Sequence, residues 1–379
     1  ILEREKFLNL SRLSYLVSKL NFLFTLSAIQ SLSFVLVANT ILEVRGMLFQ
    51  QWLILFSTAC FGNMLGLNIS AGMRTAVSIY ILIPLILVPE LLLGGAMIRF
   101  DDLHKSISNK VYVPIVGDIM VTRWAYEALC VEQFKSNRFE KPFFNYDMEI
   151  SQNDWYASFL IPTLKVKVDE CLTAGKDPEY KEYAEKNFDK INLHINDLSG
   201  LSGIKPGKWI SNLNFQGFNA NTGSDAKLFL DSLMTSFRLK SRSVSYMRDS
   251  LFKQISYRMG DDEFIKMRAK DYNENLANFV LNRLATNKIY DADDRLIQKA
   301  DPVFMAPGSR IGRAHFYAPY KLLGNLKIET LVFNLLAIWL MILILFVTLY
   351  YNILKRFIAF LESLNLPVLR KFGRELLQS

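Results

Sequence analysis

Residues 77–98 read VSIYILIPLILVPELLLGGAMI, an apolar run long enough to cross a bilayer. A soluble core helix is rarely so apolar all round, and a plain anchor needs neither two prolines nor an acid. Pro84 and Pro89 each free a backbone carbonyl and bend the rod. Gly94 and Gly95 allow close packing or a hinge. Glu90 is the expensive residue, because an acid inside a membrane marks a functional-site hypothesis by default. Two roles for it stand side by side. It could bind a cation, relay a proton or gate a path, or it could hydrogen-bond Asn or Gln on neighbouring helices.

Three further runs read as spans: Leu16–Leu42, Met47–Ile69 and Ile328–Tyr351. Gly62-x-x-x-Gly66 in the second is a small-residue pattern for close helix approach. Residues 1–15 form an amphipathic stretch, with Leu2, Phe7, Leu10 and Leu13 on one broad face, and read as an interfacial helix. Residues 99–134 are too polar and too broken by Pro114 and Gly117 for a span, which suits re-entrant or interfacial short helices. A mean hydropathy of +0.17 over 379 residues is diluted for a pure bundle, and residues 135–326 supply the polar domain. Its interior predicts helices over Pro178–His194, Asp225–Met259 and Asp261–Thr286, with Asp225 and Asp261 at caps or first turns. Phe229, Leu230, Leu233, Met234 and Phe237 form a core stripe, and Ser199–Gly223 reads as loop or short strand.

The net charge of +8 comes with no nucleic-acid-binding module and reads as basic flanks beside anionic lipid. The N-terminal segment, the Arg74 loop and the basic tail 353–379 carry most of the short-loop Lys and Arg, which places both ends in the cytosol and 99–326 outside. Cys60 falls in a span, whereas Cys130 and Cys171 could pair if their region is extracytosolic. His104, His194 and His315 have no ligand-spaced partners, so no metal site is expected. Gly203-Ile-Lys-Pro-Gly207-Lys208-Trp209 fails as a phosphate loop, being one residue short with Trp209 where the Mg-binding hydroxyl belongs. No catalytic motif or cofactor site is expected in this chain.

The run Arg123-Trp124-Ala125-Tyr126-Glu127-Ala128-Leu129, ending in Glu132-Gln133-Phe134, resembles the re-entrant element after the fifth span of the ABCG (White/PDR-type) ABC exporters. Residues 3–7 with 14–20 resemble that family's cytosolic loop between spans two and three. Leu91–Ile98 resembles the end of span five, and Leu323–Glu329 the approach to span six. The resemblance covers about 1–134 and 322–355. It implies an all-α, ABC-2-type (type V exporter-like) membrane bundle holding spans three to six, with a mainly helical extracytosolic insert. Spans one and two and an ATPase domain, carrying ATP and Mg, would precede Ile1.

By position, Arg4, Glu5, Phe7 and Arg12 would couple to that ATPase. Pro84, Val88 and Leu91, with Glu90 beside them, would line a substrate cavity between two membrane halves. Ala96 and Met97 would form the outer gate, where the family often carries a leucine pair. Arg123, Trp124, Tyr126 and Glu127 would carry the re-entrant motif. Expected partners are an ABC ATPase, a second membrane half, lipid, and a periplasmic protein for the insert, whose size suggests a bacterial inner membrane. The rival readings are a mechanotransmission or assembly protein that moves nothing across, and a membrane-anchored enzyme with its site in 135–326.

Overall fold

The computed structural model describes residues 11–73, 75–104, 111–175 and 177–363. The chain is mostly helical and divides into two compact units, one of 1–133, 309–316 and 320–379, the other of 134–308 and 317–319.

The first unit is built on α1 (Arg12–Ile41), α2 (Leu48–Gly72), α3 (Ala76–Leu92) and α12 (Thr330–Tyr350). Helices α1, α2 and α12 are long and apolar enough to cross a membrane. Lipid offers no hydrophobic drive between helices, so polar side chains and van der Waals packing hold them. Asn63 Nδ2 donates to Ser27 Oγ at 2.7 Å, and Trp52 Nε1 to the Ala28 carbonyl at 3.1 Å, joining α1 to α2. Asn68 donates to the Leu345 carbonyl at 2.9 Å and accepts from Thr348 at 2.8 Å, joining α2 to α12. Ile54, Met64, Ile338 and Ile342 fill the space between. Among the described residues the Gly62 and Gly66 pattern serves no helix contact, since a Cβ on either would meet nothing within 4 Å. The close approach falls instead at Gly72, where a Cβ would lie 2.8 Å from Leu354 of α13 (Ile353–Ser363). The basic tail thus begins as an amphipathic helix, with Ile353, Phe357 and Phe360 exposed on one side.

The third expected span departs from expectation. Helix α3 has 17 residues and stops at Leu92, not Ile98. Its length is about 26 Å, somewhat under the roughly 30 Å of a hydrocarbon core. Two glycines set the stop. Gly95 has φ +81°, and a Cβ there would sit 2.7 Å from Phe100 and 2.8 Å from Phe316. At Gly94 a Cβ would meet Thr122 Oγ1 at 2.6 Å and the Glu90 carbonyl at 2.8 Å. Both are points of close approach.

Two short helices follow, α4 (Ile115–Ile119) and α5 (Val121–Lys135), in place of a span. A hairpin of β3 (Tyr320–Leu323) and β4 (Leu326–Glu329), in register Tyr320 to Glu329, leads into α12. It lies inside the expected 135–326 domain yet clusters with the membrane helices.

In the second unit, α6 (Phe144–Trp155) runs through a π turn at Tyr156–Leu160 into α7 (Ile161–Ala174). Then come α8 (Lys181–Ser202), α9 (Ala220–Met259), α10 (Asp261–Asp271) and α11 (Glu274–Val280). Helix α9 has 40 residues and packs on α6 and α7. Asn219, whose side chain accepts from Thr222 N at 2.9 Å, caps it, so Asp225 lies inside the helix instead of at its start. Asp261 does sit in the first turn of α10. The expected stripe is core, with Phe229, Leu230, Leu233 and Phe237 buried. Tyr272 and Asn273 break the predicted Asp261–Thr286 helix in two. A second hairpin, β1 (Ile289–Asp291) with β2 (Leu296–Gln298), closes on this core through the Leu296 N–H, which donates to His194 Nε2 at 2.9 Å. Cys60, Cys130 and Cys171 are free and buried, so the conditional Cys130–Cys171 pair is not formed.

Candidate functional site

The site is assembled where α3 ends and α5 begins. Helix α5 opens with backbone N–H groups that no helical carbonyl can satisfy. Glu90 supplies the acceptors: Oε1 takes the Val121 N–H at 3.3 Å and Oε2 takes the Thr122 N–H at 3.1 Å. Thr122 Oγ1 lies 2.6 Å from the Glu90 carbonyl and 2.8 Å from Oε2. A carboxylate at a helix N-terminus also meets the positive end of the helix dipole. Glu90 is therefore a cap supplied from another helix. Its partners are backbone N–H groups and a threonine, not the Asn or Gln side chains the sequence suggested.

Glu90 is the single buried side chain of α3. Pro84, Val88 and Leu91 fall at helical spacing on an exposed face, from which Glu90 is turned away. Glu90 and the Pro84–Val88–Leu91 face therefore lie on different sides of α3. Ala96 and Met97, past the helix end, are both exposed.

One turn into α5 lies a buried charge cluster. Arg123 is 1% exposed, and Glu127, Lys321 and Asn334 are 0% exposed. Lys321 Nζ donates to Glu127 Oε2 and to Asn334 Oδ1, each at 2.7 Å. Asn334 Nδ2 donates to Glu127 Oε2 at 2.8 Å and to the Trp124 carbonyl at 2.9 Å. Arg123 lies 3.4 Å from Glu127 and 3.7 Å from Asp118, with its guanidinium 3.9 Å from the Trp124 ring centre. Arg313 reaches Asp118 at 3.8 Å and donates to the Val113 carbonyl at 2.9 Å. Tyr126, the last member of the motif, stacks on Phe316 at 6.2 Å.

Burial alone would raise the Glu127 carboxyl, but Arg123 and Lys321 outweigh it and hold it below the ordinary carboxylate range. Burial pulls the Lys321 ammonium down to about 8, against the opposing pull of Glu127. Burial likewise raises Asp118, with Arg123 and Arg313 opposing. The cluster is a buried ion-pair network joining α5, β3 and α12, in which Glu127 Oε1 and two guanidinium nitrogens of Arg123 make no hydrogen bond. Sequence reading found the α5 members and missed Lys321 and Asn334. The available signal was an Asn inside a 21-residue apolar helix.

Arg12 donates to the Leu349 carbonyl at 3.0 Å and to Asn352 Oδ1 at 2.5 Å, so it ties the start of α1 to the end of α12. Arg4, Glu5 and Phe7 lie outside the described residues.

The expected charged motif thus sits on a buried helix, capped from an apolar helix that is otherwise uncovered. Residues 1–134 match the family model of the ABC-2 type transporter. No curated protein and no solved structure matches the chain. Three helices of membrane-crossing length, with the ABC-2 match over residues 1–134, support an integral membrane protein, and an ABC-2 membrane domain implies an ABC ATPase as partner. The ABC-2 segment contains Glu90, Asp118, Arg123 and Glu127, while Lys321 and Asn334, which neutralise and bond Glu127, lie beyond it.

Proposed function

We propose that the chain is the membrane portion of an ABCG-like, ATP-driven exporter. It moves a lipophilic or amphipathic substrate outward through a cavity shared by two membrane halves. The observation that carries this is α3, a helix inside the ABC-2 segment whose only buried residue is Glu90. An apolar helix left this uncovered needs lipid or a second helix bundle against it. The Pro84–Val88–Leu91 face supplies the cavity wall in this reading, with Ala96 and Met97 at its outer end. ATP-driven closure of the paired ATPases pushes on the cytosolic ends of the bundle and rocks it from inward-open to outward-open. Both chain ends are cytosolic, and the 134–308 unit lies on the far side of a bacterial inner membrane.

The test is transport in proteoliposomes holding the chain with its ATPase and a hydrophobic fluorescent dye. Val88→Trp fills the proposed cavity and lowers ATP-driven dye movement at least five-fold, while the complex still purifies intact. Undiminished movement in that variant would remove the cavity wall from α3.

A further inference from the structure

The 134–308 unit carries an open cleft of about 510 Å³, within the range of pockets that hold small ligands. Its lining is mixed, with aromatic rings on one part and charged side chains on the rest. Phe139 meets Tyr272 at 5.7 Å and Phe134 meets Phe304 at 5.9 Å. The polar groups on this lining differ in how far their own neighbours satisfy them. Glu140, 5% exposed, shares a hydrogen bond with Asp147, and Arg248 Nε donates to Asp147 Oδ1 at 3.0 Å. Asp301 Oδ2 accepts from Ser151 Oγ at 2.7 Å.

Two guanidiniums form no ion pair among the described residues, although the charge of Arg283 acts on Glu140. Arg268 lies over the Phe139 ring at 5.6 Å, and Arg283 hydrogen-bonds Tyr272. Both are exposed, and among the described residues neither pairs with a carboxylate. The remaining acid on the lining is Asp154, at the exposed edge.

We propose that this cleft binds an amphiphilic anion, its carboxylate or phosphate head held by Arg268 and Arg283 and its apolar body against Phe134, Phe139 and Phe304. Planar guanidiniums match such heads in pairs of parallel hydrogen bonds. A cationic head would find the inner carboxyls already engaged by Arg248, by Ser151 and by each other. The assignment stands whether or not the chain transports, since binding needs no ATPase.

A second property comes from Glu140. Burial first, then the charge of Asp147, pushes its carboxyl up to about 7, with Arg248 and Arg283 opposing. The other titratable or charged groups on the lining are Asp154, Arg268, Tyr272 and Asp301. A bound anion favours the neutral acid. Binding therefore takes up a proton and weakens as pH rises through neutrality.

The test is calorimetric titration of the full chain, in nanodiscs of phosphatidylcholine, with monomeric octyl phosphate. The expected result is one saturable site per chain, weakened at least ten-fold by Arg268→Glu with Arg283→Glu. Both positions are exposed, so circular dichroism should be unchanged. With octane-1-sulfonate, whose head keeps one charge across the range, wild-type affinity should fall between pH 6 and pH 8 and that of Glu140→Gln should not. Equal binding of octan-1-ol, or wild-type affinity in the double variant, would overturn the assignment. Repeating the titration with phosphatidylglycerol in the nanodiscs separates the sources: competition identifies a lipid headgroup as the occupant, and its absence identifies a soluble amphiphile. Failure of the assay leaves the transport reading standing, because no ATPase takes part in it.

Discussion

Glu90 shows how one residue can be conspicuous in sequence while its partners stay hidden. An acid in an apolar run announces a cost, and the structure shows that cost offset locally by two backbone N–H groups and a hydroxyl. Removing the carboxylate strands buried donors, at about 1–3 kcal/mol each. Glu90→Gln keeps one acceptor oxygen and should cost about 1 kcal/mol, whereas Glu90→Ala should cost more. Gly94→Ala should be comparably harmful, since its Cβ would press on Thr122 and the Glu90 carbonyl together. Chemical denaturation of the full chain in detergent checks the order wild type, Glu90→Gln, Glu90→Ala. An alanine variant as stable as wild type would mean that the cap carries no weight. What sequence could not supply is the partner, because Thr122 lies 32 positions away in a stretch with no periodic signal.

At the scale of elements, α5 is the joint. Its N-terminus is held by α3 through Glu90, and its second turn is held by β3 and α12 through Lys321 and Asn334. Helix α5 therefore contacts both the Leu92 end of α3 and the start of α12. Breaking a buried ion pair from one side leaves a charge in a dry site and costs about 3–5 kcal/mol. Lys321→Met and Glu127→Leu should each fall near that figure. The double variant should cost clearly less than their sum, because neither charge is then stranded by loss of the other. Strict additivity in a denaturation cycle would show the two to be uncoupled.

The pH dependence follows from the sign of the Glu127 shift. Its folded-state value is depressed, so its contribution is full above its ordinary value of 4.5 and is lost as pH falls through the lowered one. Glu127→Leu should remove that acid-side loss.

The helices themselves were largely legible. Long apolar runs gave α1, α2 and α12, and the broken stretch at 111–134 became two short helices. The errors came where tertiary contact overrides pattern. Gly62 and Gly66 face open space, while an unnoticed Gly72 carries the tight contact with Leu354. The apolar run continues six residues past the end of α3, through Gly94 and Gly95, where the chain must instead turn against Phe100 and Phe316.

At the scale of the molecule, the decisive fact is that α3 is nearly uncovered. Apart from Glu90, none of its side chains is buried, and Leu85, Val88 and Leu91 are each more than half exposed. Lipid alone could cover such a surface, but two prolines within 17 residues would then serve no packing purpose. Pro84 and Pro89 cannot donate backbone hydrogen bonds, so they leave carbonyls that a second chain or a polar substrate can approach. The dimer reading therefore predicts that the α3 faces of two copies lie close together. The native cysteines do not interfere with a thiol test, since Cys60, Cys130 and Cys171 are all buried. Leu91→Cys, treated in membranes with a short bismaleimide, should give a dimer band on a denaturing gel. Leu340→Cys, an exposed position on α12, serves as the comparison. Crosslinking at position 91 that does not exceed position 340, with both cysteines labelled by a single maleimide, would place lipid and not a second copy against α3. The shared cavity would then have no wall.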